Sequence, residues 1–167
     1  MTKFKSSKGF TLIEILVGLT IVGMLFSFGF VSYRDFTRRQ TLGSFSKQLQ
    51  GDIRLAQANA LSGVKPQVAA CDSTYVLDNY SFHIISSTEY ELVAVCSKVG
   101  FTSSITTKDV ELPAGITISI PAINPITFKV LGQGNNIQSG QTVVYTLTQL
   151  GTANTHTVTV SAGGEVK

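Results

Sequence analysis

Hydrophobic residues follow three successive patterns along this chain. The sequence is almost continuously apolar from Phe10 to Phe30, and apolar residues then recur every three or four positions until Ala60. From Val64 onward, apolar and polar positions alternate. The first two patterns predict helix, whereas a period of two predicts β-strands. The sequence therefore predicts the α+β class, with a long N-terminal helix followed by a β-rich domain over residues 64–167.

The apolar run over residues 10–30 contains 21 residues and one charge, Glu14. A helix of this length measures roughly 31 Å, and the hydrocarbon core of a bilayer is about 30 Å thick. We therefore interpret residues 10–30 as a transmembrane segment. A carboxylate inside a bilayer costs roughly 2.5–3.5 kcal/mol, so Glu14 needs a partner that neutralises it.

The helix is predicted to continue through an amphipathic segment over residues 31–63. Its apolar stripe consists of Leu42, Phe45, Leu49, Ile53, Ala56 and Ala60, and the polar residues assigned to positions off the stripe are Lys47, Gln48, Asp52 and Arg54. Since no proline occurs between Phe10 and Pro66, one unbroken helix can run to about Ser62, where Gly63 supplies a stop.

Seven segments rich in Val, Ile, Thr, Tyr and Phe predict an antiparallel domain of about seven strands in two sheets, packed against the helix. They are Val68–Cys71, Tyr80–Ser86, Tyr90–Ser97, Ile116–Ile120, Ile126–Leu131, Thr142–Thr148 and Thr157–Ser161. The turn residues of Ser86–Glu89 predict a hairpin between the second and third segments.

Charge and cysteine content are typical of a small exported protein. Charged residues make up 14% of the 167 residues, and the net charge of +3 falls to zero without Lys3, Lys5 and Lys8 of the leader. A neutral chain exerts no broad attraction on nucleic acid. Outside the cytoplasm, the pair Cys71 and Cys96 favours a disulfide, with two buried free thiols as the alternative. Neither cysteine has a second ligand at metal-binding spacing.

The residues from Lys8 to Val22, with Gly9-Phe10-Thr11-Leu12-Ile13-Glu14 at their start, resemble the class III signal of type IV pilins and type II secretion pseudopilins. The resemblance implies that residues 1–9 are a leader, that prepilin peptidase cuts between Gly9 and Phe10, and that Phe10 is N-methylated. It also implies that Glu14 pairs with the N-terminal amine of a neighbouring subunit. An uncleaved signal anchor is the alternative.

The implied partners are other pilin or pseudopilin subunits, prepilin peptidase and the inner membrane. The implied location is a single pass through the inner (cytoplasmic) membrane, followed by a periplasmic or cell-surface fibre. Arg34, Arg38 and Arg39 then form an interfacial collar, although contacts with anionic lipid or DNA are also open.

The C-terminal part is similar to the minor-pilin family known as GspH/FimT, which has a long helix followed by two sheets. The similarity rests on apolar and glycine positions: Ile126–Phe128, Gly132, Val143–Leu147, His156–Val160 and Gly163–Val166. Some members bind DNA through a basic C-terminal tail. Here the tail departs from that pattern, because it offers only Lys167, beside Glu165, so DNA is kept only as an alternative partner.

No catalytic residues, metal ligands or cofactor are predicted. His83 and His156 have the pattern of ordinary sheet residues, and the carboxylates of Glu89 and Glu91 fit a solvated hairpin face. We expect a non-enzymatic minor type IV pilin that primes, tips or joins a fibre. The alternatives are an H-type minor pseudopilin of a type II secretion system, a DNA-binding minor pilin for DNA uptake, and an exported enzyme on a membrane anchor.

Overall fold

A computed structural model gives the structure of residues 9–167, with the backbone alone described for residues 27–32. It contains one long helix, α1 (Leu12–Ser62), and two short 3-10 helices, Ala69–Cys71 and Val130–Gly132. The strands are β1 (Val76–Ser86), β2 (Glu89–Lys98), β3 (Phe101–Glu111), β4 (Ile116–Ile118), β5 (Ile126–Lys129), β6 (Thr142–Gln149) and β7 (Thr155–Ser161). The chain divides into two compact units, one ending at Arg39 and the other comprising Gln40–Lys167.

The membrane segment is untested by this structure. Among the described residues, no helix has both the length and the hydrophobicity needed to cross a bilayer. The predicted span over 10–30 includes residues 27–30, whose side chains lie outside the described part, and the leader residues 1–8 lie outside it entirely. Both assignments therefore remain predictions.

The amphipathic half of α1 has the predicted apolar stripe. All six stripe residues are buried, the most exposed being Phe45 at 4%. The helix ends at Ser62, as predicted, in a Schellman motif: the Gly63 N–H donates to Ala60 O at 3.2 Å, and the Val64 N–H donates to Asn59 O at 3.1 Å. Gly63 has φ +66°, which favours glycine because it lacks a Cβ.

The second unit contains the two predicted antiparallel sheets, with seven strands in its described residues. Sheet A has the order β3-β2-β1-β5, and sheet B has the order β4-β6-β7. The predicted hairpin joins β1 to β2, in which Ser86 pairs with Glu89. Phe82 of sheet A packs against Tyr145 of sheet B with ring centroids 5.3 Å apart, and this contact connects the two sheets within one core. Within sheet A, the rings of Phe82 and Tyr90 are 5.0 Å apart.

Several strand predictions need correction. Val68–Cys71 is not a strand: the Cys71 N–H donates to Val68 O, which closes a 3-10 turn over Ala69–Cys71. The strand predicted at Ile116–Ile120 ends at Ile118, and the one predicted at Ile126–Leu131 ends at Lys129, where a second 3-10 turn begins. The eleven-residue strand β3 was missed, because polar residues occupy both of its faces and obscure the period of two.

Candidate assembly site

The predicted cleavage and register residues surround the start of α1. Gly9 and Phe10 precede the helix, and Thr11 occupies its N-cap position. The Thr11 Oγ1 accepts a 3.3 Å hydrogen bond from the Glu14 N–H, while Thr11 O accepts the first helical bond from Ile15 N. This bond is the threonine half of a capping box, whose sequence pattern is Thr-x-x-Glu. Glu14 therefore lies in the first helical turn, where the helix dipole favours a carboxylate.

The first unit exposes apolar side chains throughout its described part. Every residue from Gly9 to Phe26 is exposed, including Phe10 at 77% and Leu12 at 82%. Tyr33 and Phe36 are exposed as well. Contiguous apolar surface on this scale marks a membrane or protein contact, since isolated soluble proteins rarely present patches above a few hundred Å². The polar residues Arg34, Asp35 and Arg39 lie on the following, more charged segment.

A polar cluster connects α1 to sheet A in the second unit. The Tyr90 hydroxyl donates to Asp52 Oδ2 at 2.7 Å, and Lys108 Nζ lies 2.6 Å from Asp52 Oδ1. The Asp52 side chain is 8% exposed and that of Lys108 is 38% exposed. Burial, followed by the hydrogen bond to Asp52, raises the pKa of Tyr90 well above its usual range. Asp52 therefore belongs to the buried face, and its placement off the stripe was wrong.

The two cysteines meet at the opposite end of sheet A from the Ser86–Glu89 turn. Cys71, in the first 3-10 turn, and Cys96, on β2, form a disulfide with Cα atoms 5.6 Å apart. Lys65 Nζ donates to Asp72 O and Tyr75 O in the same loop. These contacts attach the segment after α1 to sheet A.

On the outer face of sheet A, His83 and the carboxylate of Glu91 are in contact. His83 Nδ1 lies 3.0 Å from Glu91 Oε1, and the Thr106 hydroxyl donates to Glu91 Oε2 at 2.8 Å. Partial burial raises the pKa of Glu91, but the bonds with His83 and Thr106 outweigh it and leave the pKa below its ordinary value. Within residues 9–167, no cluster of three or more His, Cys, Asp or Glu residues is arranged to bind a metal.

Comparison with known proteins identifies the N-terminal signal. Residues 4–30 match the family described as "Prokaryotic N-terminal methylation motif". The match includes Gly9, Phe10 and Glu14 and supports a type IV pilin-like signal for cleavage and methylation, of the kind that precedes assembly with other pilin subunits. No curated protein and no solved structure matches the chain.

The N-terminal residues could be recognised from the sequence, whereas the Asp52 cluster could not. The former constitute a continuous local motif. Asp52 meets Tyr90 and Lys108 only through tertiary packing, across 38 and 56 residues of sequence. One signal was available: Asp52 follows Leu49 by three positions, which places it on the apolar stripe by spacing.

Proposed function

We propose that this chain is a minor type IV pilin subunit that primes, tips or joins a pilus fibre. Prepilin peptidase removes residues 1–9, Phe10 becomes the N-methylated first residue, and Glu14 becomes the fifth. One observation carries the proposal: the methylation motif, residues 4–30, includes residues 9–26, and every one of these residues is exposed.

The exposed apolar surface of the first unit has two successive environments in this proposal. Residues 10–30 are first inserted in the inner membrane as a single pass, and they later pack against the corresponding segments of other subunits in the fibre. In both environments a lone charge is costly. Glu14 and the new amine at Phe10 of a neighbouring subunit neutralise each other, and this pairing sets the axial register between subunits.

The second unit supplies the contacts that decide which neighbours the subunit accepts. A long helix followed by two antiparallel sheets supports a GspH/FimT-like subunit. The same arrangement supports an H-type minor pseudopilin of a type II secretion system as the second candidate. The proposed role is architectural and includes no catalysis. DNA binding is left out of it, since Lys167 Nζ lies 3.1 Å from Glu165 Oε1 at the chain end.

Mass spectrometry of the native N-terminus tests the processing step. The expected mature chain begins with N-methylated Phe10 in cells that contain an active prepilin peptidase. In cells without the peptidase, the chain begins at Met1. A protein that still begins at Met1 in peptidase-positive cells contradicts the proposal.

Replacing Glu14 separates charge pairing from helix capping. In cells that lack the wild-type copy, Glu14→Leu should reduce incorporation into fibres while the near-ultraviolet circular dichroism of the buried tyrosines remains unchanged. Thr11→Val is the matched control, because it removes the capping hydroxyl and keeps the carboxylate. Thr11→Val should incorporate nearly normally. An equal loss in both variants would assign the effect to the integrity of the first helical turn and not to charge pairing, and normal assembly of Glu14→Leu would contradict the register role.

A further inference from the structure

The chain covers the edges of its two sheets at β5 and β7. Beside β5, the Lys129 N–H donates to Gly134 O at 2.9 Å, and the Asn136 N–H donates to Thr127 O at 3.2 Å. Beside β7, the backbones of Thr159 and Lys167 exchange hydrogen bonds of 2.9 and 3.0 Å. At each of these edges a returning segment satisfies backbone groups that would otherwise attract a foreign strand.

The remaining edge of sheet B is short, and the remaining edge of sheet A is long. Strand β4 has three residues, and its Ile118 N–H donates to Ser87 O at 2.8 Å. Strand β3 has eleven residues and lies at the end of sheet A. Within the described residues, no backbone hydrogen bond leaves the outer edge of β3. This strand is therefore the long open edge of the second unit.

One half of the open edge of β3 is protected against pairing with a foreign strand, and the other half is not. A register shift opposite Leu92 and Val93 marks a bulge at Thr107, and Lys108 turns its charge inward to Asp52. Bulges and inward-pointing charges are the means by which natural edge strands resist pairing. The preceding segment, Phe101–Thr106, has neither feature. It is uncharged, free of proline and rich in residues that favour strands.

Along β3, the backbone groups of successive residues point alternately toward β2 and away from it. This alternation shows which groups of Phe101–Thr106 are available to another strand. Val99 and Gly100 form a two-residue turn between Lys98 and Phe101, which pair directly. Such a turn closes on a hydrogen-bonded pair, and the bonding direction alternates at each residue thereafter. The N–H and C=O groups of Thr102, Ser104 and Thr106 consequently point away from β2, toward any strand that adds to the edge.

Negative charge is concentrated where the open segment ends. Glu89 of β2 lies directly opposite Glu111 of β3, and Glu91 lies opposite Asp109. Like charges in cross-strand positions destabilise a sheet. His83 and Thr106 bond to Glu91, but no hydrogen bond or ion pair is described for the side chains of Asp109 and Glu111. A cation placed beside these two residues would relieve the repulsion.

We propose that the outer edge of Phe101–Thr106 is a docking site for an extended segment of another protein chain. The segment adds to sheet A as an antiparallel strand, in the manner of β-augmentation. It carries Lys or Arg at its N-terminal end, because an antiparallel strand places that end beside Asp109 and Glu111. Backbone hydrogen bonds to Thr102, Ser104 and Thr106 supply the affinity, and the acidic residues determine the direction in which the segment binds. This contact goes beyond the fibre role and does not depend on it.

A synthetic peptide tests the site on the full-length, isotope-labelled chain in detergent micelles. The probe is the acetylated, amidated heptapeptide Lys-Lys-Thr-Val-Thr-Ile-Thr. It should bind saturably below about 1 mM and slow hydrogen exchange of the Thr102, Ser104 and Thr106 amides about tenfold or more. A peptide with Glu-Glu in place of Lys-Lys should bind about tenfold more weakly, and so should one with Lys-Lys moved to its C-terminal end.

Two variants locate the binding. Ser104→Pro removes an outward N–H without removing a bond to β2, and should abolish binding. The double variant Asp109→Lys with Glu111→Lys leaves the edge backbone intact and should reverse the preference between the Lys and Glu peptides. Near-ultraviolet circular dichroism checks the fold of both variants.

Three results would overturn the proposal. The first is the absence of saturable binding below about 1 mM. The second is equal affinity for the Lys and Glu peptides with the wild-type edge. The third is slow exchange of the three outward amides without peptide, increasing with protein concentration, because a second copy of this chain would then occupy the edge.

Discussion

The Tyr90 hydroxyl, on β2, donates a 2.7 Å hydrogen bond to the buried carboxylate of Asp52 on α1. The other oxygen of that carboxylate lies 2.6 Å from Lys108 Nζ on β3. One side chain thus joins the helix to two strands of sheet A. Because polar groups in a core are costly unless they are paired, the three residues depend on one another.

Asp52→Ala should lower the free energy of unfolding by about 2–4 kcal/mol, because it leaves the Tyr90 hydroxyl without its partner and Lys108 without its counter-charge. Urea unfolding of the full-length chain in detergent, followed by tyrosine near-ultraviolet circular dichroism, measures the change. Asp35→Ala is the control: it removes an exposed carboxylate from the same helix and should change the free energy by no more than about 0.5 kcal/mol.

A double-mutant cycle tests whether the cluster acts as a unit. Tyr90→Phe alone should cost about 1 kcal/mol, the usual net value of one hydrogen bond. Combined with Asp52→Ala, its additional cost should fall close to zero, since the hydroxyl then has no partner to lose. Simple additivity of the two substitutions would show that the 2.7 Å contact contributes little to stability.

The amphipathic half of α1 could be predicted because the signals for it lie close together in the sequence. The stripe from Leu42 to Ala60 follows the helical period, and Gly63 provides the αL conformation that ends the helix. Asp52 occupies a stripe position, but its charge suggested a surface residue. Its burial depends on Tyr90 and Lys108, which only the folded chain brings near it.

The β-rich part was predicted well where one face is apolar and poorly elsewhere. In β2, buried and partly exposed residues alternate from Glu89 to Ser97, so its period of two is clear. Strand β3 has exposed polar residues and only partly buried residues along its length, because it lies at an edge. Pairing with β2, rather than its own pattern, makes it a strand. The N-terminal signal, by contrast, is readable from residues 4–30 alone.

Cys71→Ser should destabilise the second unit by about 3 kcal/mol, since a disulfide across 25 residues restricts the unfolded chain. Urea unfolding measures the loss, and Cys96→Ser should give a similar value. Intact-mass spectrometry before and after reduction checks the bond itself and should show a gain of two hydrogens. A native protein whose mass does not change on reduction would support two free thiols instead.

Stability should fall in acid partly through Glu91. Its folded pKa is lowered by His83 and Thr106, so its contribution is present above the ordinary glutamate pKa and is lost as pH falls through the folded value. Glu91→Gln should therefore lower the free energy of unfolding by about 1 kcal/mol at neutral pH and by less in acid. Urea unfolding of the wild type and the variant at about pH 7 and about pH 3 measures the loss at each pH. His83→Gln at neutral pH is the companion variant, since it removes one of the two partners. An equal loss for Glu91→Gln at both pH values would contradict this assignment.

The end of α1 offers a matched pair of glycines. Gly63 has φ +66°, so Gly63→Ala forces a Cβ into the left-handed region and should cost about 1 kcal/mol. Gly51 lies inside α1, and no atom lies within 4 Å of the point that a Cβ would occupy there, so Gly51→Ala should stabilise by up to about 1 kcal/mol. Both changes add one methyl group, and only the backbone conformation differs. Urea unfolding of the two variants should therefore move the midpoint in opposite directions. A rise in stability for Gly63→Ala would show that the Schellman motif does not terminate the helix.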